Sequence, residues 1–151
     1  MSAAVKYEIR DATLADVEYL STRLRAIDIK EIRAVSGRSA GAALRSGLTM
    51  SDYCKAGVAD GEVVCIYGVR KMSILSDKGI IWMLGTDDLS KHAIRFIREC
   101  SVEVNSMVEQ FRYVENWCHA ENKTTIRWLK WLGAQFGEPE GQLIPFMIRG
   151  N

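Results

Sequence analysis

Residues 53–84 read YCKAGVADGEVVCIYGVRKMSILSDKGIIWML, and this stretch decides the fold. Tyr53 to Ala59 and Glu62 to Lys71 are two strand-like runs joined at Asp60-Gly61. That dipeptide suits the positive φ angles of a tight hairpin turn, so the runs are expected to pair antiparallel. A second turn at Ser76-Asp77-Lys78-Gly79 leads into Ile80-Ile81-Trp82-Met83-Leu84. A short continuous apolar run of this kind predicts a strand buried on both faces and central in its sheet.

Upstream, Lys6 to Arg10 alternates apolar with polar residues and then meets Thr13, a helix-capping residue followed three positions later by Asp16. A strand and then a helix are expected. From Leu14, the residues Val17, Leu20, Leu24 and Ile27 keep helical spacing, and a second short helix is predicted around Ile29 to Val35. Gly37, Gly41 and Gly47 are expected to loosen the chain before the hairpin.

Downstream, Ile94, Ile97, Val104, Val108 and Phe111 repeat at helical spacings, with Arg95, Glu99, Glu103 and Glu109 turned elsewhere. This predicts a long amphipathic helix from about Ser90 to Phe111. Tyr113 to Cys118 is a further strand candidate, after which Asn122 or Thr124 opens a helix that carries Ile126, Leu129 and Leu132 and stops at Gly133. Ala134 to Phe136 and Leu143 to Ile148 read as two more strands around a turn containing Pro139. The fold class is mixed α/β (α+β), a mainly antiparallel sheet flanked by helices.

A chain of 151 residues is about one domain long, so residues 1–151 are expected to fold as a unit. Hydrophobic residues at 48% and charged residues at 26% exclude a disordered chain. Twenty Lys and Arg against 19 Asp and Glu leave a net charge of +1, which gives no global excess for a nucleic-acid backbone or an anionic membrane. The four cysteines, 54, 65, 100 and 118, form no CxxC pair and no zinc-type cluster, and are expected to be reduced and intracellular, with no metal bound. The N-terminal MSAAVKYEIRD has no signal-peptide core, and no apolar run approaches the ~20 residues that span a bilayer.

The stretch Asn122-Lys-Thr-Thr-Ile126-Arg-Trp-Leu129-Lys-Trp-Leu132-Gly133-Ala-Gln-Phe136 resembles a segment of the GCN5-related N-acetyltransferases (GNAT), where an asparagine opens a helix ending in a Leu-Gly-Phe-like turn. Ile9 to Asp16 is similar to that family's opening strand and helix. Trp82-Met83-Leu84-Gly85-Thr86, together with Asn122, Ile126 to Leu129 and Leu132 to Ala134, also resembles small acetyltransferase-like proteins of short-tailed bacteriophages, some of them internal virion proteins. The resemblance implies a GNAT-like fold and a cleft where the Ile80–Leu84 and Tyr113–Cys118 strands diverge. Any acetyl-CoA would contact the backbone of Met83, Leu84, Gly85 and Thr86 and the side chain of Asn122. Glu62 and Asn122 are the candidate catalytic residues, with Glu115 a further possible base.

Two departures bear on chemistry. The resemblance implies a glycine-rich loop whose bare amides hold the coenzyme pyrophosphate at a helix N-terminus. Here that stretch is Gly85-Thr86-Asp87-Asp88-Leu89-Ser90-Lys91-His92, with one glycine and two carboxylates that oppose an anion. Asp88 or Ser90 is read as a helix cap. Many family members also place a proton-donating tyrosine seven positions after the asparagine, and this chain has Leu129 there. Cys118-His119 is no dyad, because neighbours on a strand face opposite ways, and is read as a buried cysteine beside an exposed histidine. Lys123, Arg127 and Lys130 form a basic row read as a solvated face; Trp128 and Trp131 are read as core or interface aromatics. The expectation is a divergent, non-catalytic relative acting in a virion, in assembly or on a host protein, in the host cytoplasm or the virion. The alternative is an acetyl-CoA-dependent N-acetyltransferase on an amine.

Overall fold

Thr13 turns the chain from strand β1 (Tyr7–Asp11) into helix α1 (Leu14–Ser21). The Thr13 hydroxyl accepts the Asp16 amide at 3.3 Å while the Asp16 carboxylate accepts the Thr13 amide at 2.8 Å, the reciprocal cap that the sequence predicts. The computed structural model describes residues 4–150, so residues 1–3 of the stretch read for a targeting signal, and residue 151, lie outside the described residues.

Helix α2 (Ala26–Val35) follows after a break, so Leu24 sits between helices, where the spacing had suggested continuity. The next stretch corrects the sequence reading. Instead of a loosened chain, residues 40–50 form a regular helix, α3 (Ala40–Met50), whose start is capped by the Ser39 hydroxyl accepting the Ala42 amide. Gly47 is there for packing: a Cβ on it would lie 2.6 Å from the Trp82 ring.

Strands β2 (Tyr53–Ala59) and β3 (Glu62–Lys71) are joined by Asp60 and Gly61, with φ of 48° and 82°, as the hairpin turn requires. Then come β4 (Lys78–Gly85), α4 (Leu89–Val108), β5 (Tyr113–His119), α5 (Lys123–Trp131), β6 (Gln135–Phe136) and β7 (Leu143–Arg149). The strand order is β1-β2-β3-β4-β5-β7-β6, which puts β4 fourth of seven, at the centre. Only the β4–β5 pairing is parallel.

Two cores flank the sheet. Val17, Leu20, Leu44, Ala56, Ile66 and Leu84 pack together under α1 to α3. Phe96, Cys100, Val104, Tyr67, Val114, Trp128 and Leu129 pack under α4 and α5. The buried stripe of α4 runs through Leu89, Ala93, Phe96, Ile97, Cys100, Val104 and Val108. Ile94, assigned to that stripe by spacing, is instead 59% exposed, because Ala93 and Ile97 take the sheet-facing side of the turn it shares. Phe111 is buried but lies beyond the helix end. β4 is not buried on both faces throughout: Ile80 and Trp82 are half-buried, since they face a cleft. No helix among the described residues is long and apolar enough to cross a membrane.

Candidate functional site

β4 and β5 are paired only from Lys78–Tyr113 to Ile80–Glu115, after which they diverge. Main-chain groups alternate sides along a strand, so from Ile81 onward every second residue of β4 presents its N–H and C=O to the gap. The Ile81 carbonyl accepts the Asn116 side-chain amide at 3.0 Å. At Gly85 the N–H donates to Asp28 Oδ2 at 3.0 Å and the carbonyl accepts the Arg25 N–H at 2.9 Å. Met83 lies between them with the same alternation, and no protein group among the described residues bonds its outward N–H or C=O.

The gap opens into a cleft of about 310 Å³. Trp82, Met83, Trp117, Cys118, Trp128 and Phe146 supply apolar walls, and Arg38, Arg70, Asn116 and Glu31 supply polar groups. Glu31 comes from α2, and sequence reasoning missed it. Its Oε2 accepts the His119 N–H at 2.7 Å and the Asn122 side-chain amide at 3.1 Å, which fixes the carboxylate, while Oε1 bonds no group among the described residues. Burial pushes the Glu31 carboxyl above its ordinary value, opposed by these two donors.

Beside Glu31, Arg25 and Asp28 form a buried fork at 2.8 and 2.7 Å, and the Arg25 fork also touches the Thr125 hydroxyl at 3.5 Å. Asp28 is 0% exposed, and burial pushes its carboxyl up against the pull of Arg25 and the Gly85 amide.

The candidate residues are therefore dispersed. Met83 and Leu84 line the cleft. Gly85 faces Asp28, and its bare Cα is required by packing, because a Cβ would lie 2.8 Å from both Leu89 Cδ2 and the Val64 carbonyl. The Thr86 amide is bonded to the Val64 carbonyl at 2.9 Å; its hydroxyl is buried and has no partner among the described residues. Asn122 is 1% exposed, its Oδ1 capping α5 through the Thr125 amide at 3.4 Å and its side-chain amide holding Glu31. Glu62 is exposed and borders a different hollow with Tyr19, Arg23, Thr86, Asp87 and Asp88. Glu115 sits at the paired end of β5 and is not among the cleft residues.

Asp88 takes the N-cap position of α4, one of the two alternatives the sequence offered, but its side chain makes no cap bond and pairs instead with Lys91 at 3.1 Å, while the Ser90 hydroxyl donates to the Asp87 carbonyl. His119 is buried, contrary to expectation, because β5 runs one residue further and its Nδ1 accepts the Glu121 amide. The neighbouring Cys118 thiol is pushed up to about 12 by burial, which leaves it a poor nucleophile. Trp128 is core while Trp131 is 58% exposed; Lys123, Arg127 and Lys130 are all exposed. No disulfide joins the four cysteines, and no group of His, Cys, Asp and Glu among the described residues could hold a metal.

The end of β4 and the turn after it suit a coenzyme A pyrophosphate poorly: the Gly85 and Thr86 amides are bonded within the protein, and the helix start that would face the anion carries Asp87 and Asp88. At that start the Lys91 ammonium is paired with Asp88 at 3.1 Å.

Residues 62–139 match a family model described as "Bacteriophage T7, probable scaffold protein Gp13". No curated protein matches the chain. Solved structures share its fold. A domain from Methanocaldococcus jannaschii aligns at TM-score 0.67 with 14% identity, covering 97% of this chain and 99% of that one. The GNAT domain of S. lividans PAT aligns at 0.66 with 13% identity over 93% and 89%. The PaiA N-acetyltransferase of Thermoplasma acidophilum, solved with coenzyme A, aligns at 0.63 with 12% identity over 95% and 99%. The architecture is the GNAT fold.

Proposed function

Because the chain belongs to the family of the bacteriophage T7 probable scaffold protein Gp13, we propose that it is a phage assembly protein that uses the GNAT fold for binding and not for acetyl transfer. The observation that carries this reading is the sealed end of β4, where Arg25 and Asp28 occupy both outward main-chain groups of Gly85. A fold hosts chemistry only where its site does, and this site lacks its anion cradle. Leu129, where the resemblance to the GNAT enzymes implies a tyrosine, is fully buried and carries no proton to give. The chain acts in the infected cell's cytoplasm or in the particle, on a phage or host protein.

Glu31 is the one observation that favours a second reading, an N-acetyltransferase acting on an amine, because a carboxylate held in the cleft could accept the amine's proton. Calorimetric titration of acetyl-CoA into the purified chain separates the two. The expected result is no saturable binding up to millimolar coenzyme, with Asp87→Gly/Asp88→Gly giving no gain, since the adjacent amides stay bonded. Micromolar binding with turnover that disappears in Glu31→Gln overturns the assembly reading. In infected cells, tagged chain should co-purify with particle-assembly intermediates; its absence from them has the same force.

A further inference from the structure

We propose that two copies of the chain pair antiparallel through β1, edge to edge about a twofold axis at Ile9, so that their sheets become one continuous sheet. This goes beyond the assembly reading and does not depend on it. The main chain supplies the first half of the argument. β1 is an outer strand of the sheet. The Asp60 amide donates to the Lys6 carbonyl at 2.8 Å and the Ala12 amide to the Cys54 carbonyl at 3.0 Å, so the even-numbered residues of this stretch turn their main chain to β2. Tyr7, Ile9 and Asp11 therefore turn theirs outward. Among the described residues the only group bonded to those outward donors and acceptors is the Arg10 guanidinium, which reaches the Asp11 carbonyl at 3.1 Å and leaves that oxygen a second lone pair. Outer strands are usually kept from pairing by shortness, proline or a bulge. The opposite edge, β6, is only 2 residues long, whereas β1 runs for 5 without a proline or a break in register.

The side chains select a second copy of this chain over any other extended segment. A twofold at Ile9 sets Ile9 against Ile9 and Tyr7 against Asp11, as pairs that exchange main-chain bonds. It also sets Glu8 of each copy against Arg10 of the other, at the non-bonded positions where side chains stand closest. Sliding one copy by two residues keeps the main-chain bonding but puts Glu8 against Glu8 in one direction and Arg10 against Arg10 in the other. The charges thus pick one register. Within its own chain Arg10 gives its two terminal nitrogens to Asp16 at 2.7 and 3.0 Å, so Nε, 4.0 Å from the exposed Glu8, is the donor left for a carboxylate. The other charges along the strand are settled: Asp11 holds Lys55 at 2.7 Å, with Glu103 on the same ammonium, and Lys6 falls opposite the uncharged Ala12. Val5 and Leu14, both exposed, stand just outside the two ends of β1, and the twofold brings the first end of one copy to the second end of the other.

The test uses the full chain in sedimentation equilibrium and amide hydrogen exchange. A monomer–dimer equilibrium is expected. The Tyr7, Ile9 and Asp11 amides should exchange about tenfold slower at dimer-forming concentration than in dilute solution, while those of Glu8 and Arg10, which face β2, exchange slowly in both. Glu8→Arg puts two like-charge pairs in the seam and should weaken the dimer at least about tenfold. Ile9→Pro removes an outward N–H and no bond to β2, a change an outer strand tolerates, and should leave a monomer. A native chain that stays monomeric up to about 1 mM overturns the proposal. So does a dimer whose Tyr7, Ile9 and Asp11 amides stay fast, or one that either variant leaves as tight as before. The exchange pattern and Glu8→Arg decide the matter even if Ile9→Pro does not fold. Absence of the chain from particle-assembly intermediates would sink the assembly reading and leave this pairing in place.

Discussion

The outer edge of β4 behaves differently at two residues of the same alternation. At Gly85 the protein bonds its own strand, with the Asp28 carboxylate on the N–H and the Arg25 amide on the carbonyl. At Met83 the same kind of edge is left open above a cleft of about 310 Å³. The difference teaches that the end of β4 is sealed from the layer of α1 to α3, by the start of α2, whatever glycines the following turn lacks. Widening the turn by mutation therefore leaves the seal in place. The main-chain pair left open is two residues earlier, where no group of α2 among the described residues bonds the main chain.

Asp28→Ala breaks the closed end and carries the largest expected effect. It strands Arg25, which is 6% exposed, and orphans the Gly85 N–H. Removing one partner of a buried pair typically costs ~3–5 kcal/mol, readable as a lower urea midpoint. A loss under about 1 kcal/mol would mean that this end is held by other contacts.

Gly47→Ala presses on a wall of the open end. The new Cβ would meet Trp82 at 2.6 Å, and the ring has little room to yield, since a Cβ on Gly68 would lie 2.9 Å from it and its Nε1 donates to the Ser51 hydroxyl at 3.0 Å. Overpacking of this kind costs ~1–3 kcal/mol and should alter the near-ultraviolet circular dichroism of tryptophan. An unchanged spectrum and midpoint would show that α3 shifts freely.

How far these regions were legible in the sequence follows the range of the interactions. Thr13, Asp60-Gly61, Asn122 and Gly133 act on their immediate neighbours, and the elements they start or stop are where the residues placed them. α3 was missed because Gly41 and Gly47 look like breakers, and the reason for Gly47 is a tryptophan 35 positions later. Ile94 was misplaced because a stripe of spaced aliphatics ignores Ala93 and Cys100, which the helix buries instead. The cleft followed from the family resemblance, but its central carboxylate did not. Glu31 looks like any charged residue of an amphipathic helix, and its partners are 88 and 91 positions away.

Asn116→Ala tests where the gap begins. Asn116 bonds the Ile81 carbonyl at 3.0 Å and accepts the Trp117 amide at 2.8 Å, which ends the β4–β5 pairing with both main chains satisfied. Because the residue is half-buried, water can replace part of what is lost, and about 1 kcal/mol of destabilisation is expected. Hydrogen exchange at Trp117 should quicken while that at Val114, inside the paired end, stays slow. Equal quickening at both would make Asn116 part of the whole β4–β5 contact and not its boundary.

The smallest expected effect is one of slope. Burial raises the Glu31 carboxyl above its ordinary 4.5, so between that value and the raised one the folded chain holds a proton that the unfolded chain has released. Stability then falls as pH rises: the contribution of Glu31 is fully present below about 4.5 and is lost on passing through the raised value. Glu31→Gln has no such proton, so urea midpoints taken from about pH 4 to 8 should show the variant gaining on the native chain as pH increases. A constant difference would mean that the His119 and Asn122 donors fully offset the burial of the carboxylate.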